Sequence, residues 1–234
     1  MTETGLPLRR RVLRVAGALA ALLLTAAMPW WGPAALSELA YFRVRRVEVV
    51  GTRFLPASEV LARLDVDTAA SIWRELASLE RRVAQLPQVE SVSIARRLPA
   101  TLVVRVRERP PIALLPFPGG LRALAAGGEE LPIDPTRHDL DLPVIASHDT
   151  AVLRLLAELR QLQPGLYGRV SAVRPTGRDE LAIDVPPLTV RALHSLTVAR
   201  LAEILPVERD LARRRVIAYE LDLRYRDQVV ARFK

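Results

Sequence analysis

Three histidines, a scatter of serines and a few close carboxylates are the residues of this chain with chemistry to offer. His138, His148 and His194 stand far apart. No H-x-x-x-H or HExxH spacing brings two imidazoles to one metal. Ser71, Ser147, Ser171 and Ser195 lack the G-x-S-x-G turn that lifts a nucleophilic serine out of a sheet. Neither a Walker A sequence nor GxGxxG is present. Asp134, Asp139 and Asp141 gather around His138 in DPTRHDLD. A cation loop would want a glycine at its turn, which is missing, so the stretch reads as a solvated loop. Glu129 and Glu130 would serve a glycan hydrolase only if folding set two carboxylates opposite one another. There is no cysteine, hence no thiolate metal site and no disulfide framework. The expectation is a protein that is not an enzyme, with no catalytic residue, no metal and no cofactor.

The elements that would position such residues say more. Arg9, Arg10, Arg11 and Arg14 precede an uncharged run over 15–36. About 20 apolar residues cross a bilayer as a helix. Cations before the span keep the short tail, 1–14, in the cytoplasm and send the bulk of the chain out. Trp30 and Trp31 fit an interfacial belt. A cleaved signal peptide with its apolar region at Val15–Met28 is the competing reading. It lacks a small-x-small site followed by a polar start, so an uncleaved anchor in the cell (inner) membrane is expected. The formal charge of +8 comes almost wholly from arginines spread among Asp and Glu. With so few aromatics there is no base-stacking platform, and nucleic acid is not an expected partner. Neither is a small-molecule substrate.

The exported part divides at Pro110-Pro111. Phe42–Val50 reads as a strand ended by Gly51. Pro56 opens a helix with Val60, Leu61 and Leu64 inward. Ile72, Leu76, Leu79, Val83 and Leu86 make the stripe of a second helix. Val92 and Ile94, then Leu102, Val104 and Val106, mark two strands joined at Arg97-Leu-Pro-Ala. The order is β-α-α-β-β. The string F-x-V-x-x-V-x-V-x-G, followed by LPQVESVSIARRLPATLVVRVRERPPIAL, resembles a POTRA domain, and more closely the POTRA domain of the bacterial division family FtsQ/DivIB. That resemblance implies a cytoplasmic tail (1–14), a transmembrane helix (15–36), a POTRA domain (42–110) and a β-rich domain (111–234).

The fold class expected is therefore α+β: an N-terminal transmembrane helix, the POTRA unit, then a second α+β domain. That domain should hold a mostly antiparallel sheet that ends in a C-terminal hairpin. Ile112–Phe117, Leu121–Ala125 and Glu130–Ile133 read as strands, with a hairpin at Gly127-Gly128. LPVIAS, Leu142–Ser147, fits a short extended segment. Asp149 or Thr150 can cap a helix whose stripe is Val152, Leu155, Leu156, Leu159 and Leu162. Val170–Arg174, Glu180–Val185 and Leu188–Leu193 read as strands. Val198, Leu201, Ile204 and Leu205 read as a helical stripe interrupted by Pro206, and Glu208–Arg215 as a charged, solvated stretch.

The chain closes on VIAYELDLRYRDQVVARFK. Ile217, Tyr219, Leu221, Leu223 and Tyr225 alternate with polar residues, and Gln228–Phe233 follows as a second strand. A last strand at a sheet edge has free N–H and C=O groups that can accept another chain. The family resemblance implies a bitopic scaffold at the division septum that binds FtsB and FtsL. FtsB would add a strand to this edge, and other division proteins would meet the POTRA unit. Carried onto this chain, the partner contacts fall on Tyr225, Gln228, Val229, Val230, Ala231 and Phe233, with Arg178 as a charge contact. Arg232 stands where relatives often have a small residue. An anchored cell-wall hydrolase would instead need two convergent carboxylates or a metal set. A POTRA-type assembly factor would need several such units or a barrel.

Overall fold

The computed structural model describes residues 12–23, 25–27, 40–67, 70–138 and 140–233. Residues 12–23 and 25–27 are helical. Among the described residues no helix is long and apolar enough to cross a membrane. Leu24 and 28–36 of the expected span lie outside them. Contacts separate two compact units. One holds the chain up to Gly51 with Ala57–Val83 and Val92–Val106, and the other holds Thr52–Pro56, Ala84–Ser91 and the chain from Arg107 onward.

The first sheet has the expected order of elements: β1 (Arg46–Val50), α1 (Ala57–Leu64), α2 (Ala77–Ala84), β2 (Val89–Arg97) and β3 (Thr101–Glu108). The strands lie β1–β3–β2, with β1 parallel to β3. Gly51 follows β1 at φ +89, and a Cβ there would come within 2.3 Å of the Val106 carbonyl oxygen. Only glycine satisfies both the angle and the space. α1 buries Val60 and Leu64, but Leu61, expected inward, is 43% exposed. The second helix is shorter than its stripe. Ile72 is buried outside any helix, because its N–H donates to the Phe42 carbonyl at 2.8 Å beside the Arg43–Ser71 bridge. The helical spacing of the sequence thus joins core residues from two different elements. The first strand likewise begins at Arg46 rather than Phe42, which sits in a 3₁₀ turn.

The second unit is built on a nine-stranded sheet. Its strands are β4 (Ala113–Phe117), β5 (Gly120–Leu124), β6 (Glu130–Leu131), β7 (Val144–Ile145), β8 (Ala172–Pro175), β9 (Glu180–Val185), β10 (Leu188–Leu193), β11 (Ala218–Asp222) and β12 (Val230–Phe233). They lie in the order β12–β11–β10–β9–β8–β7–β4–β5–β6. The pairs β4–β7, β7–β8 and β10–β11 are parallel and the other pairs antiparallel, so the sheet is mostly antiparallel as expected. Between β6 and β7 comes the short helix α3 (Pro135–His138). Asp139 lies outside the described residues. The Glu108 carboxylate accepts the backbone N–H groups of Arg53, Phe54 and Leu55 at 2.7, 3.0 and 2.8 Å.

Helix α4 (Thr150–Leu162) is capped by Asp149, whose carboxylate accepts from the N–H groups of Ala151 and Val152. This satisfies donors that the helix itself leaves orphaned. α4 buries Val152, Leu153, Leu155, Leu156 and Leu159 against Val173, Ile183, Val190, Leu201 and Leu221. Each such side chain contributes about 1.5–3 kcal/mol of transfer free energy. Leu162, expected in the stripe, lies in the last turn and is 60% exposed. A short α5 (Pro164–Tyr167) follows, with Tyr167 donating to the Ile112 carbonyl.

Pro206 does not break the next helix. α6 (Val198–Ala202) ends at Glu203, and Pro206 lies in the first turn of α7 (Ile204–Arg214), where a missing N–H costs nothing. The stretch from Glu208, expected to be solvated, is helical through Arg214. Glu208 there accepts two hydrogen bonds from Arg169, at 2.9 and 2.6 Å. Arg215 closes the helix in the left-handed conformation.

Candidate functional site

The C-terminal edge forms because β11 docks parallel to β10 and the chain then turns back on itself. β11 is shorter than its alternation suggests. Ile217 is 84% exposed and lies before the strand, while Leu221 and Leu223 are buried. Asp222, on the face expected to be polar and solvated, is also buried. Leu221 faces Ala231, Asp222 faces Val230 and Glu220 faces Arg232, and a bulge lies between Ala218 and Glu220. β12 is the end strand of the order, paired among the described residues on one side only, with β11.

The residues expected to touch a partner divide by exposure. Val229 and Ala231 pack on the core, so they hold β12 in place rather than present it. Val230 and Phe233 are 37% and 50% exposed. Gln228 is exposed and precedes the strand, which begins at Val230. Tyr225 is half exposed in the preceding turn. Arg232 approaches Glu220 on β11 at 3.0 Å, so a charge partner stands beside it.

Arg178 is exposed in the turn between β8 and β9 and lines a small cavity of about 150 Å³ with Ser147, Asp149 and His194. The strand after it, β9, lies three positions from β12. The register nevertheless puts the start of β9 and the ends of β10 and β11 at one end of the sheet, so Arg178 and Tyr225 share that end.

A charge cluster fixes this end. Arg224 donates to Asp222 at 2.9 and 2.6 Å and to Glu180 at 2.7 Å, and Arg191 reaches Glu180 at 3.4 Å. The Arg224 hydrogen bonds hold the Asp222 carboxyl below the usual carboxylate range, against the opposing effect of burial. Asp222 and Glu180 in turn raise the Arg224 guanidinium, keeping it charged. Next to the cluster, His194 contacts Asp149 at 2.6 Å. Burial would push the Asp149 carboxyl up. The His194 hydrogen bond and the helix N–H groups outweigh it and hold the carboxyl below its ordinary value.

The sequence profile of the POTRA domain, FtsQ-type, matches residues 42–109. The chain is 30% identical over 137 residues to the cell division protein FtsQ of Syntrophotalea carbinolica, covering 58% of this chain and 48% of that protein. The FtsQ of Myxococcus fulvus is 26% identical over 243 residues, covering 94% of this chain and 84% of that protein. The chain is similar to the FtsQ/DivIB family, and its residues 42–109 match that family's POTRA domain. A solved extracytoplasmic domain of DivIB from Geobacillus stearothermophilus overlaps 44% of this chain and 93% of that chain, at 19% identity and a TM-score of 0.32. The chain spans about half the length of the first of these FtsQ relatives.

Two features of the edge carry no local sequence signal. Asp222 reads as an alternating polar residue, and only the register of β11 against β10 reveals its burial. Arg200, on α6, donates to the carbonyls of Tyr225 and Gln228 across 25 and 28 residues. Nothing in its neighbourhood in the sequence points to the turn it holds.

Proposed function

We propose that this chain is a bitopic scaffold of the bacterial divisome that links division proteins by protein–protein contact and helps control septal wall synthesis. It stands in the cell membrane through residues 15–36, with its tail inside and the POTRA (42–110) and β-rich (111–234) domains outside. FtsB, together with FtsL, binds at β12, and an exported FtsB segment extends the sheet by one strand. Tyr225, Gln228, Val230 and Phe233 meet the incoming segment, and Arg178 contributes charge at the same end of the sheet. Other division proteins meet the POTRA domain. The observation that carries this reading is the outer side of β12, which has no strand beside it among the described residues. Backbone groups on such an edge supply geometry and exposed side chains supply specificity.

The test is photo-crosslinking in cells with a reactive group placed at Val230, Phe233 or, as control, Leu121 at the far side of the sheet. FtsB crosslinks at Val230 and Phe233, and none at Leu121, are expected. Crosslinks absent from β12 and present elsewhere would remove the edge from the proposal. Depletion should leave filamentous cells, and normal division without a paralogue would remove the divisome role.

A further inference from the structure

We infer that Arg200 is a positioning residue for the β12 edge, a regulation of that same site which rests on the reading that β12 receives a partner strand. The turn from Tyr225 to Gln228 has the central residues Arg226 and Asp227. It contains neither the glycine nor the Asn-Gly or Asp-Gly pair that fixes a tight hairpin from within. The ladder it precedes is short, from Asp222–Val230 to Ala218–Phe233, and is interrupted by the bulge. The geometry of the turn is therefore imposed from outside.

Arg200 imposes it. One guanidinium nitrogen donates to both the Tyr225 and the Gln228 carbonyls, the latter at 2.9 Å, which closes the loop at its two ends. The other terminal nitrogen pairs with Glu203, one turn along. Thr197 caps α6 and accepts from the Arg200 backbone N–H, which fixes the base of the side chain. The Arg200 side chain is 19% exposed, so its stem packs against the protein while its hydrogen bonds lie at the surface. Charge-assisted hydrogen bonds to carbonyls are stronger than neutral ones. Lysine, a point charge, cannot span two carbonyls and a carboxylate in one plane. The clamp holds Gln228 and Val229 so that β12 leaves the turn already paired to β11. An incoming strand then meets an ordered edge and does not have to order it.

The experiment uses the full chain in lipid nanodiscs, as wild type, Arg200→Gln, Arg200→Lys and Glu203→Gln. Hydrogen exchange is followed on peptides covering Tyr225–Phe233, on α4 and on β9. Binding of a synthetic exported segment of FtsB is followed by association rate and affinity. The expected result is roughly tenfold faster exchange in Tyr225–Phe233 for Arg200→Gln. Arg200→Lys should show less and Glu203→Gln least, with α4 and β9 unchanged. Affinity should fall in the same order, through slower association.

If Arg200→Gln opens the whole unit, the two milder variants decide. Wild-type exchange in the turn of both would overturn the inference. A loosened turn with unchanged affinity would overturn it equally. Failure of wild type to capture the segment would overturn the strand-addition reading itself, and with it the clamp's role in that binding.

Discussion

The nine-stranded sheet stops on β12 at one side and on β6 at the other, and the two stops are made differently. β6 is two residues long and, among the described residues, pairs only with Ala123 and Leu124 of β5. Pro132 follows it directly and Pro135 opens α3. Leu131 and Ile133 turn into a small cluster with Leu114 and Ala123. Arg122 pairs with Glu130 at 2.8 Å and lies over the Phe117 ring at 4.1 Å. Short length, proline and charge are the means by which proteins discourage strand addition. β12 has no proline, exposes Val230 and Phe233, and is backed by the largest cluster of the unit. One edge is closed by its own sequence, and the other carries none of these closures among the described residues.

The largest expected effect concerns what lies behind each edge. Leu221, fully buried in the large cluster, should cost about 4 kcal/mol when cut to alanine. Leu131, in the small cluster, should cost about 2 kcal/mol. Urea denaturation of the full chain in detergent measures both, and equal losses would mean the two edges are equally backed. Next, Val230→Asp with Phe233→Glu should weaken capture of the FtsB segment about a hundredfold. Leu121→Glu on β5 should leave it alone, and neither change should move stability by more than about 0.5 kcal/mol. Matching losses from the two sites would erase the distinction.

A third expectation concerns acid. The folded-state pKa values of Asp149 and Asp222 lie below the ordinary value. Their contribution is full above the unfolded value of about 3.9 and is lost as pH falls through the depressed folded values. Thermal melts should therefore drop steeply below about pH 4. Asp149→Asn or Asp222→Asn should flatten that drop, and an unchanged slope would show that the open edge owes nothing to these carboxylates in acid. The smallest effect is Glu220→Ala, which removes the cross-strand partner of Arg232. It should cost about 0.5 kcal/mol and is best read by a double-mutant cycle with Arg232→Ala.

Much of this was legible in the sequence wherever one period ran along one element. Leu188–Leu193, Glu180–Val185 and the cap at Asp149 stand where the pattern puts them. The order β-α-α-β-β of the first sheet and the hairpin at Gly127-Gly128 do as well. Reading failed where two elements contributed to one apparent period, as Ile72 did for the second helix. It failed again where Pro206 looked like a break, because a proline in a first helical turn satisfies the same backbone rule as a helix end. At the site, the last strand and its exposed Val230 and Phe233 were readable. Arg200 and the burial of Asp222 were not, since both depend on contacts between segments well separated along the chain.

The bulge at Ala218–Glu220 has a consequence for solubility. An extra residue in β11 deepens the local coiling of the hairpin, so the strand beside it cannot lie flat. Fibrils grow by laying identical flat ribbons on one another, and a coiled ribbon offers no such repeat. An edge built this way is a poor template for a second copy of the same chain.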